Sequence, residues 1–124
     1  METEIEVWRN RGANIYVITH HLPSFRLIHP QFWGSDINPC FASAADTLLR
    51  SPVRLWIYGH SHTCSHHIVK DVMCVSNAKG YLNEQVPGWR PDVWMEFPTW
   101  DPQEVEAAHK KDQTPLQCEE IEFL

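Results

Sequence analysis

The chain has 124 residues, enough for one domain and too few for two, and 43% hydrophobic content suits one globular core. No apolar run approaches a membrane span, and residues 1–12 are charged, without the apolar stretch of a secretory signal. A net charge of −6 with no stripe of lysine or arginine argues against nucleic acid as the main partner.

Residues 2–11 carry a weak helical pattern through Ile5 and Trp8, so a short helix or a frayed tail is expected over residues 1–13. Residues 14–19, Asn-Ile-Tyr-Val-Ile-Thr, read as a strand. Residues 22–38 hold Pro23, Pro30 and Gly34 among polar side chains and read as a long irregular loop, a length that in compact domains is usually functional or disordered. Asn38-Pro39 has the form of a helix start, a capping residue followed by proline in the first turn. The expected helix runs to about Arg50, turns Phe41, Ala44, Ala45, Leu48 and Leu49 inward, and stops at Ser51-Pro52.

Residues 53–58 are nearly all apolar, as in a strand buried on both faces. Strand, helix and strand in this order predict a βαβ unit. Residues 66–70 and 72–76 predict a hairpin around Lys70-Asp71, although that pair is a weak turn signal. Residues 77–81 leave the sheet, and residues 92–97 predict a last short strand. From residue 99 the chain forms an acidic extension, with an amphipathic helix expected over residues 102–111. Six tryptophans demand large aromatic surfaces to pack against. The four cysteines, Cys40, Cys64, Cys74 and Cys118, lack Cys-x-x-Cys spacing, which fits reduced thiols in the cytoplasm; a Cys64–Cys74 disulfide across the hairpin stays open.

The histidines carry the chemistry. His20 and His21 follow the first predicted strand, and His60 and His62 follow the second, after Gly59. Strand ends of α/β layers are where ligands gather, and imidazole is the commonest metal ligand. In an extended segment His60 and His62 point to one side, and Gly59 permits a sharp turn or a close backbone approach. With His20 they can converge on one ion or on two neighbouring ions, where a bound water becomes a nucleophile near neutral pH.

The segments Val17-Ile18-Thr19-His20-His21-Leu22-Pro23-Ser24 and Trp56-Ile57-Tyr58-Gly59-His60-Ser61-His62-Thr63 resemble the last two motifs of the calcineurin-like metallophosphoesterases. Those motifs are a strand ending in Thr-His-His-x-Pro and a strand ending in Gly-His-Ser/Thr-His. Cys74-Val75-Ser76-Asn77-Ala78-Lys79-Gly80-Tyr81 resembles the Asn-Pro-Arg-Gly-Tyr segment of one bacterial and viral branch, with Ala78 for proline and Lys79 for arginine. The Ile28-His29-Pro30 loop and the predicted 38–49 helix fit the same branch, so the resemblance covers residues 14–97.

The resemblance implies an α+β fold with α/β-type layers, the C-terminal half of an αββα sandwich, over residues 14–98. It implies two divalent ions, manganese, iron or zinc, with His20 and His60 on one and His62 on the other. A bridging hydroxide would attack the phosphorus of a phosphomonoester or phosphodiester, a small-molecule or nucleotide-type substrate. His21 would assist catalysis, line the substrate pocket or be merely structural, and Asn77, Lys79 and Tyr81 would contact substrate or shape the turn.

The family's earlier motifs, Asp-x-His, Gly-Asp-x-x-Asp and Gly-Asn-His-Asp/Glu, do not occur in the chain. Three neutral histidines can hold one ion, but two dications need a bridging anion. The expected object is thus a half-site, completed by a separate N-terminal half or by a second copy in a homodimer. A half-sandwich would also leave sheet faces open, with Trp56 and Trp94 on or near an apolar patch. Two other readings remain: a non-catalytic interaction module or remnant that keeps the half-fold, and an unrelated zinc site on His60, His62 and Cys64.

Overall fold

The β-branched and aromatic runs of the sequence become the centre of one mixed sheet. The structure, a computed structural model, describes residues 2–96, 103 and 121–123. An N-terminal helix, α1 (Glu2–Arg9), precedes β1 (Ile15–Ile18), β2 (Val53–Ile57), β3 (Cys64–Val69), β4 (Val72–Asn77) and β5 (Ile121–Phe123). The strand order is β1-β2-β4-β3-β5. The first three strands in that order run parallel, and β3 is antiparallel to both β4 and β5. The described residues form a small mixed α/β domain, and among them no helix is long and apolar enough to cross a membrane.

Strand β2 is buried on both faces, as its unbroken apolar run predicts: Val53 and Leu55 on one side, Arg54 and Trp56 on the other, are all inaccessible. In register across the sheet, Val17, Trp56, Cys74 and His67 share one face, and Ile18, Ile57, Val75 and His66 share the other. The first face is packed: Trp56 is 2% exposed and belongs to one buried cluster with Leu22, Leu27, Ile28, Leu49 and Val72. The second stays partly open, with Ile18 73% exposed. Trp56 is therefore core rather than part of an open patch, and the accessible apolar positions of the second face are Ile18, Ile57 and Val75.

The crossover between β1 and β2 departs from the expected βαβ unit. Residues 38–50 form no α-helix; they make two single 3-10 turns, Asn38–Cys40 and Asp46–Leu48, with an extended stretch between. In that stretch Ala42 bridges Leu22, the Leu22 amide donates to Phe41 O, and the Ser43 and Ala45 amides donate to Leu22 O and Pro23 O. These bonds consume the groups a helix would pair internally, so long-range pairing wins over local propensity. The 22–38 loop is irregular as expected but anchored. Ser24 caps the turn Phe25–Leu27 and donates its hydroxyl to Asp46 at 2.7 Å, and Leu22, Leu27 and Ile28 are buried.

Helix α1 buries Ile5 and is fastened at its end by Arg9, which pairs with Glu6 and donates to Ser51 O. The β3–β4 hairpin forms where predicted, and its turn places both Lys70 and Asp71 at positive φ, 46° and 65°, the paired left-handed shape of a two-residue hairpin loop. Cys64 stands opposite Asn77 and Cys74 opposite His67, an odd offset that puts the two thiols on opposite faces; both are free. The strand expected at 92–97 is absent over its described part: Pro91 and Asp92 make a turn beside an Arg90–Asp92 ion pair, and Trp94 is 80% exposed. The helix expected at 102–111 lies outside the described residues apart from Gln103, and Cys118 lies outside them altogether.

Candidate metal centre

Because β1, β2 and β4 are parallel, their C-terminal ends leave the sheet along one edge. Backbone pairing continues past the strands there: the Thr19 amide donates to Ile57 O, the Tyr58 amide to Val75 O and the Gly59 amide to His20 O at 3.0 Å. This last bond does not depend on glycine, since a Cβ at Gly59 would meet only His20 O, at 3.8 Å. It draws together two histidines 40 residues apart in the chain, with His20 Nε2 and His60 Nδ1 separated by 2.8 Å.

His21 completes the cluster. The ring centroids of His20, His21 and His60 lie 5.2, 4.7 and 4.6 Å apart pairwise. One ring nitrogen from each of the three falls within 4.8 Å of the others, and no other group of three or more histidine, cysteine or acidic side chains among the described residues is so arranged. His20 and His21 are exposed, His60 is half-buried, and the Phe41 ring lies 4.8 Å from the His60 ring. Partial burial, followed by the nearby His21, His20 and His62 imidazoles, holds His60 below the usual histidine range. That favours the neutral ring, the form that binds metal.

The support beneath this loop is a relay of hydrogen bonds. Trp56, fixed in the core, donates its indole N–H to Thr19 Oγ1 at 2.9 Å, and the Thr19 hydroxyl donates to His21 O at 2.7 Å. The core therefore fixes the backbone that carries His20 and His21.

His62 is placed elsewhere. Both His60 and His62 have positive φ, 65° and 50°, so the segment is not extended, and His62 is not part of the three-histidine cluster. The expectation that they point to one side through strand alternation is corrected, and with it the premise of a His60–His62–Cys64 site. Left-handed backbone at non-glycine residues carries strain that collects at functional loops. His62 Nδ1 meets Glu84 Oε2 at 2.8 Å and its ring sits edge-on to Tyr81 at 4.6 Å. The Glu84 carboxylate also accepts from the Tyr81 amide at 2.6 Å, and this bond, with the His62 contact next, lowers the carboxyl below its usual range. Gly80, at φ 76°, makes the approach possible, because a Cβ there would collide with the Glu84 carboxylate.

Asn77 ties the turn together: its amide donates to Arg90 O at 2.7 Å and its oxygen accepts from the Arg90 amide. The Lys79 ammonium lies 5.3 Å above the Trp89 ring. Glu84 and Phe41 are the site residues that sequence reasoning missed. An acid three residues beyond Gly80-Tyr81 was the signal for the first; Phe41 carried none, because it was assigned to a helix face.

No family model matches the chain, and no solved structure matches it. The chain is similar to "Uncharacterized protein L509" of Acanthamoeba polyphaga mimivirus, 28% identical over 84 residues that cover 62% of this chain. The match spans 30% of the viral protein's length.

Proposed function

We propose that this chain is a metal-dependent phosphoesterase half-site of the calcineurin-like type, acting on a phosphomonoester or phosphodiester in the cytoplasm. The observation that carries the reading is the convergence of His20, His21 and His60 at one sheet edge, with their ring nitrogens within 4.8 Å of one another. The donor set fits an ion: metal–nitrogen bonds of about 2.0–2.1 Å in tetrahedral geometry separate ligand atoms by roughly 3.3 Å. The 2.8 Å between His20 and His60 has to open by about 0.5 Å, and ring nitrogens standing as far as 4.8 Å apart have to close by roughly 1.5 Å, a movement for the exposed His20 and His21 rings. A bound divalent ion supplies a water of lowered pKa and polarises a phosphoryl oxygen.

The remaining work falls to the chain. The Trp56–Thr19 relay orients His20 and His21. His62, with Nδ1 held by Glu84, keeps Nε2 free for a second ion, the carboxylate–histidine arrangement common around metals. Tyr81 flanks His62, and Asn77 and Lys79 shape the turn that would face substrate. Carboxylate ligands would come from a separate N-terminal half of the αββα sandwich or from a second copy, seated on the partly open sheet face.

A non-catalytic module is the second reading, favoured by one observation: among the described residues no carboxylate joins the three-histidine cluster. Calorimetric titration with manganese and zinc, run beside hydrolysis of bis(4-nitrophenyl) phosphate, separates the two. The half-site reading expects about one ion per chain, lost in His60→Ala. Binding without hydrolysis, with activity restored by a completing half, agrees with it. Absence of divalent metal binding overturns it.

A further inference from the structure

Beside the histidine cluster lies a cavity of about 140 Å³ whose apolar lining is Ile28, Phe32, Ile37 and Phe41 and whose polar lining includes His29, Ser35, Ser61 and Thr63. Nothing in the proposed hydrolysis uses it. It is nevertheless joined to the cluster twice, through Phe41, whose ring lies 4.8 Å from that of His60, and through Ser61, the residue after His60.

We infer that this cavity binds a single six-membered aromatic ring, and that the ring belongs to the ester hydrolysed at the neighbouring histidines. Size argues for a ring: an apolar protein cavity of about 150 Å³ lined by Leu, Ile and Phe stays dry and takes up benzene. Lining argues for an apolar one. Ser61 Oγ and Thr63 Oγ1 bond to each other at 2.8 Å, the Asn38 amide donates to Phe32 O at 3.0 Å and His29 Nδ1 accepts from the Gln31 amide at 3.3 Å, so most polar groups of the wall are engaged; the others are Ser35 and the second nitrogen of the exposed His29 ring. A phosphate or sugar entering there would lose water and find only Ser35 and the exposed His29 ring to donate to it. Phe32 and Phe41 instead offer ring faces and edges, against which another aromatic ring packs better than an alkyl chain. The floor is firm, because Ile28 is only 6% exposed, while Phe32 and Ile37 at the mouth are open to solvent.

The assignment of the ring to an ester rests on the phosphoesterase reading; the cavity's preference for a ring does not. Two arms keep these apart. In the first, phenol is titrated into metal-free protein carrying 13C-labelled isoleucine δ1 methyls. Saturable shifts are expected at Ile28 and Ile37, abolished by Ser35→Phe, which fills the cavity from its lining. Should that variant fail to fold, Ile37→Ala, altered at the exposed mouth, is expected to weaken phenol binding severalfold. Unmoved Ile28 and Ile37 methyls in the native protein overturn the cavity assignment, whatever the metal does.

In the second arm, phenyl phosphate and methyl phosphate compete for the manganese-loaded protein. Phenyl phosphate is expected to bind at least about tenfold tighter, the discrimination one buried apolar group provides. Ser35→Phe should erase that preference without changing methyl phosphate binding. Equal binding of the two esters to the native protein overturns the link between cavity and cluster. Failure of manganese itself to bind counts against the phosphoesterase reading and leaves the phenol arm decisive for the cavity.

Discussion

Replacing Thr19 with valine tests how the core holds the loop that carries His20 and His21. Valine keeps the β-branched shape, so the end of β1 should persist, while both hydrogen bonds of the hydroxyl disappear. The Trp56 indole N–H is then left unpaired in a side chain only 2% exposed. Stranding a buried donor costs about 1–3 kcal/mol, and the lost bond to His21 O adds roughly 1 kcal/mol at most. Urea unfolding of Thr19→Val should therefore show a loss of about 2–3 kcal/mol. Trp56→Phe removes the donor instead, so the double variant should cost at least about 1 kcal/mol less than the sum of the single ones. Metal affinity should fall about tenfold to a hundredfold, the usual effect of disturbing the groups that orient ligands. A Thr19→Val protein within about 0.5 kcal/mol of the native stability, or strictly additive effects in the cycle, would refute the relay.

Three further outcomes follow from the geometry. Gly80→Ala should lose about 1–2 kcal/mol for placing an L side chain at positive φ and should displace Glu84 from His62, read from the His62 ring resonances, whereas Gly59→Ala should be nearly silent because its Cβ meets only His20 O, at 3.8 Å. Iodoacetamide with peptide mapping should modify exposed Cys40 readily and spare Cys74 in the folded protein, since burial pushes the Cys74 thiol up to about 12; fast labelling of Cys74 would contradict its packing. Burial also raises the Tyr58 hydroxyl from 10.0 to about 12, against the lowering effect of its 2.8 Å bond to Ser65. Above pH 10 the unfolded chain sheds that proton and the folded chain keeps it, so stability should fall by on the order of 2 kcal/mol as pH rises from 10 to 12. Alkaline urea melts of the native protein and Tyr58→Phe would show this slope in the first and a smaller one in the second.

Much of the sheet was legible in the sequence because its signals are local. The run Ile15-Tyr16-Val17-Ile18 has the β-branched and aromatic character of a strand, and Val53 to Ile57 the unbroken apolar character of one buried on both sides. His20, His60 and His62 were legible as chemistry for the same reason, since each follows such a run within a few residues. Residues 38–50 misled because alanine and leucine spacing describes a helix equally well whether or not another segment claims the backbone. Only the folded chain brings Leu22 alongside Ala42 and spends those amides on a bridge. The 92–97 segment misled likewise: its apolar residues look like a strand, but Asp92 is drawn into a turn by Arg90 and no neighbouring strand pairs with residues 92–96.

By itself, then, the sequence determined that β1, β2 and the β3–β4 hairpin become strands, though not β5, and which imidazoles stand at the ends of β1 and β2, properties of side chains and their nearest neighbours. Which imidazoles meet was decided by tertiary structure alone. The parallel register of β1 and β2 places His20 beside His60 across 40 residues, and the Trp56–Thr19 relay brings His21 with them. The left-handed backbone at His60 and His62 sends the second ring to Glu84 instead. A two-residue spacing specifies a direction only if the chain is extended, and the chain is extended only where a neighbouring strand takes its hydrogen bonds.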